Sequence, residues 1–242
     1  SPRLNSCRQN KSTTLKWNVG IGMTTPTQML TISTANATDN SGDTGWNAAY
    51  ATEQAVINGT LGVYHGYFEI NGVTGSGTAG HGIRINDTVG ATHTITFSND
   101  AGPYHVHNVE IEGPGYAYGS LAIDGINYNS IVENSKGFHV SYCYIHEIPR
   151  NAITTGLTVG TDWTDPGMTI ENNFIERTGG VGIAYPAVHG QPIQVAFNTV
   201  DKYTIFRNNT FKNCRGSAAI AFLGGASADH SYSRIYNNLF YF

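Results

Sequence analysis

Pairs of adjacent asparagines recur along the second half of the chain, and this recurrence constrains the fold more than any other feature. The pairs are Asn172–Asn173, Asn208–Asn209 and Asn237–Asn238. Asparagine is a poor strand residue, yet each pair directly follows a short strand-like run. Aligned on the pairs, the apolar positions that follow them are separated by 29, 30, 36 and 29 residues: Tyr116, Ile145, Ile175, Phe211 and Phe240. A repeat of this length predicts a stacked-repeat architecture.

Apolar positions alternate within each repeat, which is typical of β-strands. Equivalent strands stacked in parallel, about 4.8 Å apart, would bury these positions as continuous columns. The stacking predicts a ladder of side-chain amides at one turn, formed by Asn172, Asn173, Asn208, Asn209, Asn237 and Asn238. Two further segments align with the repeats, with Tyr142–Cys143 and Gly113–Pro114 in place of the asparagine pair.

The turns of the form "NN-x-F" and the segments "GGVGI" and "RGSAAI" that open the next strand resemble the right-handed parallel β-helix superfamily, the pectate-lyase-like fold. The resemblance is good from about residue 105 to the end and weaker from 62 to 104. It implies an all-β, single-stranded right-handed parallel β-helix of about six or seven coils, roughly 30 Å long. It leaves the activity open, because the superfamily includes lyases, hydrolases, phage tailspikes and adhesins.

We assign residues 61–242 to the β-helix, whereas residues 1–60 differ from them in composition and pattern. They form an extended leader rich in Thr, Gly and Asn, and residues 18–33 resemble the "NVGIG" segments of phage tail fibres and bacterial surface proteins. We expect the leader either to cap the solenoid or to dock onto another copy. The other end is apolar, since Leu239, Phe240, Tyr241 and Phe242 lie on what would be an open coil. The two ends predict head-to-tail assembly; the alternative is a truncated chain.

The overall composition argues against some classes of binding partner. Only 12% of the residues are charged, the net charge is −4 and no basic run occurs, which argues against nucleic acid. No apolar run approaches the roughly 20 residues of a membrane-spanning helix. The three cysteines, Cys7, Cys143 and Cys214, lack zinc-site spacing. The resemblance to fibrous proteins predicts a location outside the cell or on a cell or virion surface.

The β-helix resemblance implies a polysaccharide lyase or glycoside hydrolase if the protein is an enzyme. We find no catalytic constellation: "GHG" at 80–82 lacks the paired aspartates of the hydrolases. The repeat predicts two outward columns: Glu112, Ser141, Glu171, Arg207 and Tyr236, and Glu110, His139, Thr169, Ile205 and Arg234. Glu171 and Arg207 would then pair, with His139 and Tyr236 nearby. This patch is a candidate carbohydrate contact; the alternative is a solvated surface ion pair of little energetic weight.

Two loops and a histidine pair complete the candidates. Trp163 lies between two aspartates in "TDWTDPG", which would suit a sugar ring or Ca²⁺, or an ordinary turn. His189 lies in the extra length of the 36-residue repeat. His105 and His107 share one face of a strand, but two histidines alone make a poor metal site. Apart from a possible Ca²⁺ site, we therefore expect no metal and no cofactor.

The sequence thus favours an extracellular structural protein, a subunit of a fibre, filament or adhesin that assembles head-to-tail through its leader and terminal coil. The alternative is a polysaccharide lyase, a glycoside hydrolase or an inactive carbohydrate-binding relative. The two hypotheses differ in assembly, because the first predicts a lattice of leader-to-end contacts and the second a monomer with a long, acid-lined groove.

Overall fold

The computed structural model describes residues 29–34, 41–42, 44, 47–87, 90, 93–98, 102–115, 123–130, 137–157, 167–179, 190–197, 204–216, 218–224 and 233–241. Within them the chain forms twenty β-strands, one 3₁₀ turn at Ala48–Ala51 and no α-helix. No helix in these parts has the length and apolarity needed to cross a bilayer. The strands form three parallel sheets that the chain visits in rotation. The predicted right-handed parallel β-helix of about six or seven coils is confirmed.

Every third strand belongs to the same sheet. The first sheet contains β1 (Leu30–Ser33), β4 (Phe68–Asn71), β7 (Tyr104–His107), β10 (Phe138–Ser141), β13 (Met168–Glu171), β16 (Thr204–Arg207) and β19 (Arg234–Tyr236). The second contains β2 (Ala55–Asn58), β5 (Ile83–Asn86), β8 (Val109–Glu112), β11 (Tyr144–Ile148), β14 (Phe174–Thr178), β17 (Thr210–Lys212) and β20 (Leu239–Tyr241). The third contains β3 (Leu61–Val63), β6 (His93–Ser98), β9 (Asp124–Ser130), β12 (Ile153–Leu157), β15 (Ile193–Phe197) and β18 (Ile220–Gly224).

The core consists of columns of apolar side chains that run along the solenoid. Because successive side chains of a strand point to opposite faces, one residue in two enters the interior. In the first sheet the register stacks Ile70, Val106, Val140, Ile170 and Phe206, all fully buried. Each coil therefore buries its apolar face only against its neighbours, as in other solenoids.

The turn between the first and second sheets gives the paired asparagines two different roles. The first residue of each turn is left-handed, with φ between 55° and 57°: Asn108, Tyr142, Asn172, Asn208 and Asn237. Asparagine tolerates this conformation better than most residues. The ladder itself consists of the second asparagines: Asn173 Nδ2 donates to Asn209 Oδ1 and Asn209 Nδ2 to Asn238 Oδ1, both at 3.0 Å. The predicted six-residue ladder therefore has three members, while Asn172, Asn208 and Asn237 shape the turn.

The alignment of the first repeat requires a correction. Val109–Glu112 is β8 of the second sheet, and the turn of this coil is Asn108 rather than Gly113–Pro114. Glu112 and Glu110 therefore leave the two predicted columns, and His107 and His105 take their places beside Ser141 and His139. The error arose because "YHVH" and "VEIE" alternate in the same way and are separated by one residue.

Coil stacking begins earlier than the predicted boundary at residue 60. Leu30 in β1 pairs with Phe68, and Ala55 in β2 pairs with Ile83. Part of the predicted leader thus forms strands of the solenoid. Residues 18–28, most of the segment that resembles tail fibres, lie outside the described residues.

Candidate functional site

The outward side of the first sheet carries a continuous polar surface, which we call the polar face. Its residues occupy the outward-facing positions of the first-sheet strands: Glu69, His105, His107, His139, Ser141, Glu171, Arg207 and Tyr236. Parallel pairing places equivalent residues of successive coils side by side. Residues far apart in sequence therefore meet at one site.

Glu171 is the centre of one half of the polar face. Arg207 Nε donates to Glu171 Oε2 at 2.5 Å, and His139 Nε2 lies 3.0 Å from Glu171 Oε1. Arg207 Nη1 donates to the Tyr236 hydroxyl at 3.1 Å. The structure thus brings together the four residues of the predicted carbohydrate patch on this sheet. Its geometry offers a half-exposed guanidinium beside an exposed phenol ring.

Charge compensation keeps Glu171 ionised. Burial acts to raise the pKa of this carboxyl, but hydrogen bonds with Arg207 and His139 outweigh it and hold the pKa below its ordinary value. The same contacts with Glu171 and Tyr236 raise the pKa of Arg207. A planar guanidinium of this kind binds carboxylates and hydroxyl groups well.

Three histidines form the other half of the polar face. The ring centroids are 5.4 Å apart for His105 and His107, 5.8 Å for His105 and His139, and 4.8 Å for His107 and His139. Burial, with the neighbouring imidazoles, lowers the pKa of His107 to about 4 and also lowers the pKa of His105. Both rings are therefore neutral near pH 7. The sequence signal was the "HVH" spacing, but the contact with His139 depended on the corrected register.

A second charged cluster lies on the second sheet. Arg84 pairs with both Glu110 and Glu112, and His146 Nε2 lies 3.2 Å from Glu110 Oε1. Gln54 Nε2 also donates to Glu110, at 2.8 Å. The hydrogen bond with His146, helped by Gln54 and Arg84 against burial, lowers the pKa of Glu110. This cluster is an ion-pair network that joins successive coils.

A buried polar network at the start of β9 was not predicted from the sequence. Asp124 is fully buried, and Arg150 donates to both of its carboxylate oxygens. His93 Nδ1 lies 3.3 Å from Asp124 Oδ2. Burial acts to raise the pKa of Asp124, but His93 and Arg150 hold it below its ordinary value. No sequence motif marks these residues, which come from three separate coils.

The remaining predicted site residues lie elsewhere or outside the described residues. Trp163 and His189 lie outside them, so the sugar contact and the Ca²⁺ site near Trp163 stay predictions. His81 of the "GHG" segment is buried in a turn, where its Nε2 lies 3.3 Å from the Gly77 carbonyl oxygen. Cys143 is a buried free thiol, and burial raises its pKa to about 12.

Compared with protein-family models, curated proteins and solved structures, the chain has no significant match. The three parallel sheets, which the chain visits in rotation, define its class as a parallel β-helix solenoid. Within that class the polar face is the candidate site, because it gathers histidine, carboxylate, guanidinium and phenol groups on one surface.

Proposed function

We propose that the protein is an extracellular structural β-helix, a subunit of a fibre, filament or adhesin on a cell or virion surface, whose coils stack head-to-tail on those of a second copy. The observation that carries this proposal is the chemistry of a coil boundary, which the face formed by β19 and β20 displays and which a further coil, of this chain or of a second copy, would cover. Ile235 and Phe240 are 51% and 40% exposed there, whereas their register partners Phe206 and Phe211 are 0% and 2% exposed.

The exposed face has the same chemistry as a buried coil boundary. It combines apolar side chains with the edges of two parallel strands, and such edges readily pair with another chain. Leu239 and Tyr241 add to the apolar area, at 49% and 51% exposure. The occupant that fits this face is another β-helical coil, because only a coil would continue both the core columns and the strand pairing.

Ion pairs between neighbouring coils support a structural role. Glu171 in β13 pairs with Arg207 in β16, and Glu176 in β14 pairs with Lys212 in β17 at 3.1 Å. Tyr144 in β11 donates to Glu176 at 2.9 Å. These contacts link consecutive coils on the outside, as the asparagine ladder does on the inside. The resemblance of residues 18–33 to tail-fibre segments also supports this function.

Light scattering with negative-stain microscopy tests the assembly. We expect polymers from the 242-residue chain, and smaller species from Phe240→Lys, which places a charge on the exposed face. Tyr142→Lys is the matched control, since Tyr142 is also exposed but lies in the turn of a middle coil, away from both end faces. Removal of residues 1–28 leaves β1 intact and tests the leader as the connector. A clean monomer of the unaltered chain at all concentrations would contradict the proposal.

The polar face favours a second candidate function, recognition of an acidic polysaccharide by a lyase, a hydrolase or an inactive relative. The specific observation is the contact of His139, Glu171, Arg207 and Tyr236 on one surface. We expect a polygalacturonate gel to retard the protein, and Arg207→Ala to reduce the retardation. Lys212→Ala, which removes a similar charge from the second sheet, is the control. Equal retardation of both variants and the parent chain would contradict this candidate.

A further inference from the structure

We propose that Glu69, His105 and His107 form a binding site for one divalent transition-metal ion, with Zn²⁺ as the expected occupant. The site lies on the polar face, on the adjacent strands β4 and β7. It is independent of the proposed assembly, which concerns the face formed by β19 and β20.

The three side chains already converge. One ligand atom from each residue lies within 4.8 Å of the other two. Glu69 and His105 are register partners on neighbouring strands, and His107 lies two residues beyond His105 on the same side. Tetrahedral zinc with bonds of about 2 Å keeps its ligand atoms roughly 3.3 Å apart. Side-chain rotations that move each ligand atom by about an ångström would therefore close the site, with no change in the backbone.

Neighbouring polar groups hold two of the ligands in place. His107 Nδ1 lies 2.6 Å from Ser141 Oγ, which leaves Nε2 facing Glu69 Oε1 at 4.0 Å. Thr31 Oγ1 donates to Glu69 Oε2 at 2.9 Å. Metal sites usually have such outer contacts, which orient the ligating histidine and carboxylate. The two contacts come from two further coils of the solenoid, through β10 and β1, so the fold rather than the local sequence builds the site.

His139 forms the border of the site. Its ring lies 4.8 Å from that of His107, but its Nε2 contacts Glu171. Three protein ligands would leave the ion a further position open to solvent, since His107 and Glu69 are partly exposed.

A second group of similar composition provides an internal comparison. Glu110, Glu112 and His146 also bring their ligand atoms within 4.8 Å. There the Arg84 guanidinium contacts both carboxylates and supplies the positive charge. In the described part of the chain, no arginine or lysine lies within ion-pair distance of Glu69. An ion would have to displace Arg84 from the second group, whereas at Glu69 no positively charged side chain among the described arginines and lysines would have to move.

The ligand set selects the kind of ion. Two imidazoles and one carboxylate suit Zn²⁺ and its first-row neighbours. Ca²⁺ requires six to eight oxygen ligands, so it is not expected at this site. The sequence pattern marks only the pair His105 and His107, and two histidines alone predict no metal site. The third ligand, Glu69, comes from a different coil.

The test is calorimetric titration of the chelator-treated 242-residue chain, produced without a histidine tag, with ZnCl₂. Co²⁺ serves as a spectroscopic probe, because its visible spectrum reports coordination number. We expect one ion per chain and no uptake of Ca²⁺. His107→Asn should weaken binding by more than the roughly 10–100-fold that changes to outer contacts cost. The matched control, His146→Asn, should bind as the parent chain does.

Circular dichroism and cooperative melting establish that each variant is folded. If His107→Asn does not fold, Glu69→Gln provides the test, because it removes the charge of a partly exposed carboxylate and keeps the shape of the side chain. Loss of binding in the folded variant, with binding intact in His146→Asn, supports the site. Failure of the parent chain to bind Zn²⁺ at one equivalent, or unchanged binding in the folded variant, overturns it.

Discussion

Ile170→Asp is expected to abolish the cooperative fold. Ile170 is fully buried in the column between Val140 and Phe206, so the new carboxylate would have no partner and no water. Burying such a group costs on the order of several kcal/mol, which is comparable to the whole stability of a typical domain, about 5–15 kcal/mol. Thermal melting followed by circular dichroism measures the loss.

Thr169→Asp is the matched control for this variant. Thr169 precedes Ile170 in β13 but faces outward and is partly exposed. The same substitution there should change the free energy of unfolding by about 0.5 kcal/mol or less. If Ile170→Asp melted as cooperatively as Thr169→Asp, the assignment of Ile170 to the interior and of Thr169 to the surface would be wrong.

Asn209→Ala is expected to destabilise the solenoid by about 3 kcal/mol or more. Asn209 Oδ1 accepts hydrogen bonds from the backbone and the side chain of Asn173, and its Nδ2 donates to the Ile170 carbonyl oxygen at 2.9 Å. Alanine would leave these buried groups unpaired, at roughly 1–3 kcal/mol each. Urea unfolding of the variant and the parent chain measures the difference.

The adjacent Asn208 provides the comparison for Asn209. Asn208 is exposed and has a φ of 56°. Asn208→Gly should be nearly neutral, because glycine adopts this conformation freely. Asn208→Ala should cost about 1 kcal/mol, from the left-handed backbone alone. Equal destabilisation by alanine at both positions would show that the buried amide has no special role in the ladder.

The fold could be predicted from the sequence because successive coils repeat the same local pattern of turn residues and alternating apolar positions. The asparagine pairs marked the turn, and alternation placed residues such as Ile170 inside and Arg207 outside. The contact of Glu171 with Arg207 followed from that register. Prediction failed where two neighbouring strands carry the same alternation, since "YHVH" and "VEIE" both fit the pattern.

The histidine and aspartate clusters could not be predicted for a different reason. Glu69 and His105 are 36 residues apart, and Asp124 and Arg150 are 26 apart. Their contacts depend on how many residues each coil has in its turns. If one strand is assigned to the wrong sheet, every residue of that coil is given the wrong partner. No local motif records that length. The register had to be known before these sites could be recognised.

The left-handed turn has a consequence for how this protein can vary. The connection between the first and second sheets has the same length in the last five coils. In each of them the last residue of the first-sheet strand precedes the register position shared by the second-sheet strands by three residues, as Ser141 precedes Tyr144. The turns themselves recur at intervals of 34, 30, 36 and 29 residues. All variation in coil length therefore lies in the other two connections. One side of the solenoid is a fixed spine, and the other sides accept insertions, so new surface loops can be acquired without disturbing the stacking.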